Sequence, residues 1–172
     1  YDTAQVAREA GLANTFVTNG YMTPEMLAEC TPWLDAANVD LKSFRDETYR
    51  KYTGAKLGPV LESMEIMKEK GVWLEVTTLV IPKINDSEDE LRDIARFIAA
   101  ELGAETPWHV SRFHPAYKMT DREPTPKETL MRASEIGAEE GLHYIYVGNM
   151  ARPENTLCHK CGHLCIERAG YA

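Results

Sequence analysis

The stretch GVWLEVTTLVIPKINDSEDELRDIARFIAAELGAETPWHVSRFH, residues 71–114, decides the fold. A glycine opens it, and a β-type run, Trp73–Ile81, leads through a polar loop to Ser87. A helical pattern then runs to Leu102, Gly103 stops it, and a second β run follows at Trp108–His114. Strand, loop, capped helix, glycine, strand is one βα unit, and repeated βα units build a parallel sheet. The pattern extends in both directions. Thr15–Asn19, Asn38–Lys42 and Tyr144–Val147 are rich in the β-branched and aromatic residues that suit strands. Helical patterns separate them at Pro24–Trp33, Gly58–Lys70 and Thr125–Glu140, with Leu61, Met64, Ile66 and Met67 as the apolar stripe of the second. Gly11, Gly71, Gly103 and Gly141 each stand where a left-handed residue ends a helix. Ser87-x-x-Glu90 and Thr125-x-x-Glu128 read as capping boxes, and Pro24 and Pro126 as first helical residues.

The chain has 172 residues, of which 44% are hydrophobic and 27% charged. A complete eight-unit barrel needs roughly 250 residues, and no Gly-x-Gly-x-x-Gly follows a strand, which counts against a dinucleotide fold. The expected class is α/β, a curved and partly closed sheet forming a partial (β/α) barrel over residues 1–150, with a tail at 151–172. The start at Tyr1, inside a helical pattern, reads as a fragment that lacks its first one or two βα units. Lys and Arg number 19 against 27 Asp and Glu, a net charge of −8. That balance argues against a nucleic-acid partner, since phosphate neutralisation needs clustered cations. No apolar run approaches the roughly 18–20 residues that span a bilayer, and no signal-peptide pattern is present. A soluble, cytoplasmic protein without a membrane partner is expected.

Chemistry in such folds sits at the C-terminal ends of the parallel strands. Those ends read Thr18-Asn19-Gly20, Asp40-Leu41-Lys42, Ile81-Pro82, Arg112-Phe113-His114-Pro115 and Gly148-Asn149. Asp40 and Lys42 are two apart and share a strand face, while Val39 and Leu41 face the helices. Arg112 and His114 repeat the spacing. Two inward charged pairs at one sheet edge suit an anionic or zwitterionic ligand; a structural ion pair bridging strands is the alternative. His109 and His143, near strand starts, read as satisfied structural residues.

Three of the four cysteines crowd the tail, in Cys158-His-Lys-Cys161-Gly-His163-Leu-Cys165. Cys-x-x-Cys-Gly forms a tight knuckle whose two thiolates can share one zinc or iron ion. A tetrahedral site needs four ligands, so His163 or Cys165 would have to join locally, or cysteines would come from upstream. Cys30 reads as a buried small hydrophobe.

These residues resemble a family. Val17-Thr18-Asn19-Gly20, Asp40-Leu41-Lys42, Leu79-Val80-Ile81-Pro82 with Asn85-Asp86, and Arg112-Phe113-His114-Pro115 are similar to the successive strand ends of radical S-adenosylmethionine (SAM) enzymes of the pyruvate formate-lyase activating type. Trp108-His-Val-Ser-Arg-Phe-His-Pro, Tyr146-Val-Gly-Asn149 and the final Cys-x-x-Cys-Gly with Ile166-Glu-Arg168-Ala-Gly-Tyr171 resemble the radical SAM proteins of the AmmeMemoRadiSam system. The resemblance implies a partial six-unit βα barrel, entered here in the helix before its third strand. It implies that the intact protein cleaves SAM reductively at a four-iron–four-sulfur cluster and yields a 5′-deoxyadenosyl radical. A reductant such as flavodoxin or ferredoxin would serve it, and its substrate is unknown, with a protein as one candidate. Thr18 and Asn19 would line the SAM site, Asp40 and Lys42 would meet ribose and carboxylate, and His114, beside Arg112, would lie by the adenosine. The family's Cys-x-x-x-Cys-x-x-Cys loop and Gly-Gly-Glu motif are absent, so cluster ligands are expected outside these residues and the chain alone is expected to be inactive. Val17 stands where activating enzymes often carry Asp, which weighs against a monovalent-cation site and a glycyl-radical-enzyme substrate.

Two other classes compete. Lys42 could be the Schiff-base lysine of an aldolase-like barrel, although an adjacent carboxylate works against a free amine. A βα scaffold with a zinc knuckle could also be a non-enzymatic interaction module.

Overall fold

The computed structural model describes residues 1–150 and 154–168. The Ala169-Gly170-Tyr171 end of the resemblance lies outside the described residues. Helix α1 (Asp2–Glu9) leads into β1 (Thr15–Thr18), followed by α2 (Pro24–Cys30), a 3-10 turn and β2 (Ala36–Asp40). Two helices, α3 (Asp46–Thr53) and α4 (Leu57–Glu69), precede β3 (Trp73–Val80). Helix α5 (Glu88–Phe97) ends in a π turn and leads to β4 (Trp108–Arg112), α6 (Lys127–Glu139) and β5 (Ile145–Gly148). The tail folds into a separate antiparallel pair, β6 (Thr156–Leu157) and β7 (Leu164–Ile166).

The five main strands are all parallel and lie in sequence order, β1-β2-β3-β4-β5. This order settles the architecture. Right-handed crossovers that always advance in one direction put every connecting helix on the same face, as in a barrel wall; a doubly wound sheet needs a reversal. Burial agrees with this. Ala37 and Val39, Leu74, Val76 and Val80, Trp108 and Val110, and Val147 are buried against Val60, Met64, Met67, Leu91, Ile94, Leu130 and Ile136 of the helices. The opposite face carries half-buried polar residues: Asn38, Glu75, Thr77, His109 and Ser111. The chain is a partial βα barrel.

Local signals explain most boundaries. Thr23 accepts a hydrogen bond from Met26 N at 3.2 Å with Pro24 at the first helical position, and Ser87 accepts from Glu90 N at 3.4 Å. Each helix-following glycine has positive φ. The second expected capping box does not form. Thr125 is buried and donates to Val80 O (2.6 Å) while accepting from Phe113 N (3.0 Å). Its hydroxyl ties the long β4–α6 loop to the sheet, because those two strand-end groups would otherwise be buried unpaired. Pro126 is therefore the cap residue and carries no side-chain cap bond.

No helix among the described residues is long and apolar enough to cross a membrane.

Candidate functional site

Parallel strands bring Thr18, Asp40, Val80, Arg112 and Gly148 to one edge of the sheet. At that edge Lys42, just past β2, forms an ion pair with Asp40, Nζ to Oδ2 at 2.6 Å. Val39 and Leu41 beside them are fully buried, as alternation along the strand requires. The pair is partly solvent-accessible, so its own contribution to stability is about 0–1 kcal/mol. That leaves both charges available to a ligand at little structural expense.

The backbone around Lys42 is fixed much more firmly. Lys42 N donates to the Tyr49 hydroxyl at 3.0 Å, and Lys42 O accepts from Asn85 Nδ2 at 2.8 Å. Asn85 is buried; its Nδ2 also donates to Leu79 O (2.9 Å), and its Oδ1 accepts from Ile81 N (2.6 Å). One amide thus joins the ends of β2 and β3. Burial pushes the Tyr49 hydroxyl up to about 12 against the opposing Lys42 N–H bond, with the Asp40 charge adding to the rise. Tyr49 therefore stays a neutral phenol at physiological pH. Glu90, buried at the start of α5, accepts from the Ser43 hydroxyl and from Phe44 N (2.9 Å), which anchors the next loop residues.

Two cavities flank Lys42. One, of about 490 Å³, is bordered by Asn19, Tyr21, Lys42, Tyr49 and Tyr52. The other, of about 220 Å³, lies between Lys42 and an apolar wall of Leu79, Ile81, Ile84 and Met119. Concave space with a few convergent polar groups on a mostly apolar wall is the usual form of a small-molecule site.

The expected residues divide. Asn19 and Lys42 border the larger cavity, and Asp40 is held against Lys42. Thr18 does not reach it: its hydroxyl accepts from Gly20 N at 3.2 Å, and Asn19 Oδ1 accepts from Tyr21 N at 3.0 Å, so both oxygens shape the turn after β1. Gly20 is buried with φ +67°, and a Cβ there would lie 2.7 Å from Val39 Cγ1. Arg112 and His114 are placed differently from Asp40 and Lys42. Register sets Arg112 opposite Val80, on the helix-packed face, whereas Asp40 registers with Thr77 on the other. Arg112 Nε donates to Thr125 O at 2.8 Å, which orders the β4–α6 loop. His114 is exposed and makes no polar contact with Asp40 or Lys42. Alternation itself puts Arg112 with the buried Trp108 and Val110, so the two-residue spacing to His114 did not show which face the pair would take.

Sequence reasoning missed Tyr21, Tyr49, Tyr52, Asn85 and Glu90 as parts of the site. Helix α3, which brings Tyr49 and Tyr52, is short and strongly polar. Its signals were Asp46 four residues before Arg50, now an ion pair, and Gly54 with φ +72° after its last residue.

Deeper on the open face, His109 Nε2 lies 2.8 Å from Glu75 Oε2, and this bond holds the Glu75 carboxyl below the usual range. Thr77 donates to Asn38 Oδ1 at 2.7 Å, and the His109 ring stacks on Tyr146. The Schiff-base alternative loses its basis, because Lys42 is ion-paired and partly exposed rather than alone in an apolar pocket.

The knuckle lies elsewhere. His159 stacks on His143 at 4.0 Å, and its Nδ1 is 3.2 Å from the Tyr144 hydroxyl, next to the N-terminal end of β5. The N–H groups of Cys161 and Lys160, with the Cys161 side chain, hold the Cys158 thiol below its ordinary range. Cys165 Sγ instead approaches His163 O at 3.5 Å. Among the described residues no three His, Cys, Asp or Glu side chains gather as a metal site. Neither His163 nor Cys165 is gathered with Cys158 and Cys161 into such a group.

The Radical SAM superfamily model matches residues 1–98. An uncharacterized protein of Methanocaldococcus jannaschii is 49% identical over 170 residues, covering 98% of this chain and 50% of that protein. The isethionate sulfite-lyase activating enzyme of Oleidesulfovibrio alaskensis is 31% identical over 108 residues, 60% of this chain and 35% of the enzyme. The chain thus spans about half the length, or less, of these curated relatives. A domain of pyruvate-formate lyase-activating enzyme from Bacteroides vulgatus superposes with a TM-score of 0.76 at 16% identity, covering 86% of this chain and 88% of that domain. Streptococcus suis SuiB bound to S-adenosylmethionine gives 0.68 at 12% identity, over 92% of this chain and 39% of SuiB. Sheet order, strand-end chemistry and the family match over more than half of the residues agree: the chain belongs to the radical SAM superfamily.

Proposed function

We propose that this chain supplies the SAM-receiving strand ends of an activating-enzyme-like radical SAM protein. The observation that carries this reading is the Asp40–Lys42 pair, fixed through the Lys42 backbone by Tyr49 and Asn85 and placed between two cavities. SAM, when bound and reductively cleaved, supplies a 5′-deoxyadenosyl radical that abstracts hydrogen from a substrate. The Lys42 ammonium meets the carboxylate of the methionine end, and Asp40 accepts from ribose hydroxyls. The Leu79, Ile81, Ile84 and Met119 wall covers the adenine face and excludes water. The neutral Tyr49 phenol holds Lys42 N in place without adding charge. Among the described residues no three His, Cys, Asp or Glu side chains gather to hold the cluster. Its ligands, a protein substrate, a reductant such as flavodoxin or ferredoxin and a cytoplasmic location belong to the proposal for the whole protein. The activating-enzyme relatives support the substrate class.

Equilibrium binding of SAM to the chain tests the reading. Lys42→Ala removes one charge-assisted contact, worth roughly 1.5–3 kcal/mol, and should weaken binding about tenfold to hundredfold. Thermal stability should hardly change, since the exposed pair contributes little to folding. Unchanged SAM affinity with a lowered Tm would make Asp40–Lys42 a structural ion pair only.

A further inference from the structure

We propose that Cys158 and Cys161 are one half of a tetrahedral zinc site, completed by the same two thiolates of a second copy of the chain. The two cysteines flank a tight turn closed by two hydrogen bonds, Cys158 N to His163 O and Gly162 N to Cys158 O, both 2.8 Å. Gly162 has φ +71°, a conformation strained for any residue with a Cβ, so the turn depends on this glycine. The β6–β7 ladder holds the turn from behind. It is docked to the barrel by His159 on His143 and by Arg168, which donates to Glu154 O (2.8 Å) and Thr156 Oγ1 (2.7 Å) and lies over the Tyr146 ring.

Zinc takes four ligands in closed sites, and one knuckle offers two. Among the described residues no third His, Cys, Asp or Glu side chain, His163 included, gathers with the two cysteines. His159 is stacked and bonded to Tyr144, and Cys165 Sγ turns to a carbonyl of its own hairpin. Residues 159–168 are all exposed, so a second knuckle can approach without displacing packed structure. A two-fold axis through the ion turns two identical half-sites into four ligands, the simplest closure available to a homo-oligomer. Four thiolates on one zinc ion leave two negative charges, and Lys160 stands between the cysteines of each copy to offset them.

Cobalt(II) reports the site, because tetrahedral thiolate ligation gives it intense visible and charge-transfer bands. The reduced, anaerobic chain should develop those bands and saturate at about one ion for every two chains. Sedimentation should shift from monomer to dimer in step, and a chelator should reverse both. Cys161→Ser should abolish bands and metal-dependent dimer, whereas Cys165→Ser should keep both; unfolding curves establish that both variants fold. No thiolate bands, bands that survive Cys161→Ser, or saturation at one ion per chain without a change in mass would each overturn the proposal.

Discussion

Replacement of Asn85 by Ala should lower stability by about 3 kcal/mol or more, because three strand-end groups lose their partner together. Ile81 N, Leu79 O and Lys42 O are each bonded to this one side chain, which is buried beneath the loop between β3 and α5. Water cannot reach them without opening that loop. For a domain of this size, such a loss shifts Tm by roughly 6–12 °C. The same change frees the carbonyl that positions Lys42, so SAM binding should weaken even at temperatures where the variant is fully folded. Calorimetric unfolding and SAM binding on one sample check both effects. A Tm within a degree or so of the parent would show that the amide is not what joins β2 to β3.

Gly20→Ala should be the second large loss, about 2–4 kcal/mol, from two additive causes. Its backbone is left-handed at φ +67°, and the new methyl would meet Val39 Cγ1 at 2.7 Å and Val60 Cγ1 at 3.2 Å. Both valines are fully buried, between β2 and α4, with no free space into which to retreat. The turn that this glycine makes carries Asn19 and Tyr21 to the larger cavity. Chemical denaturation measures the effect, and an unchanged midpoint would contradict the close packing described for this turn.

The fold was readable because its elements repeat and carry their own punctuation. Leu74–Val80 alternates buried and half-buried residues, and Ser87 and Gly103 bracket the helical segment that follows. The sequence also placed Asp40 and Lys42 on one side of β2, since burial of Val39 and Leu41 forces the alternation. What escaped it was tertiary. Nothing local shows that Asn85 reaches back over 43 residues to Lys42, or that Thr125 bonds Val80 across 45 instead of capping its helix. Both are short polar side chains that satisfy buried backbone groups, a demand that exists only once the strands are assembled. Arg112 misled for another reason: it shares the parity of Trp108 and Val110, whose burial marks that face as the helix-packed one. The Cys-x-x-Cys-Gly turn was legible as a tight turn that offers two of four metal ligands, whereas the hairpin that holds it was not.

We propose that SAM is received at the C-terminal strand ends beside Lys42. Amide NMR of the isotope-labelled chain, titrated with SAM, tests it most directly. Shifts should concentrate at Asn19–Tyr21, at Lys42 and Ser43, and at Ile81 and Ile84 around the two cavities, leaving the hairpin at Cys158–Cys165 unchanged. No saturable shifts, or shifts centred on the N-terminal strand ends or the hairpin, would contradict the account.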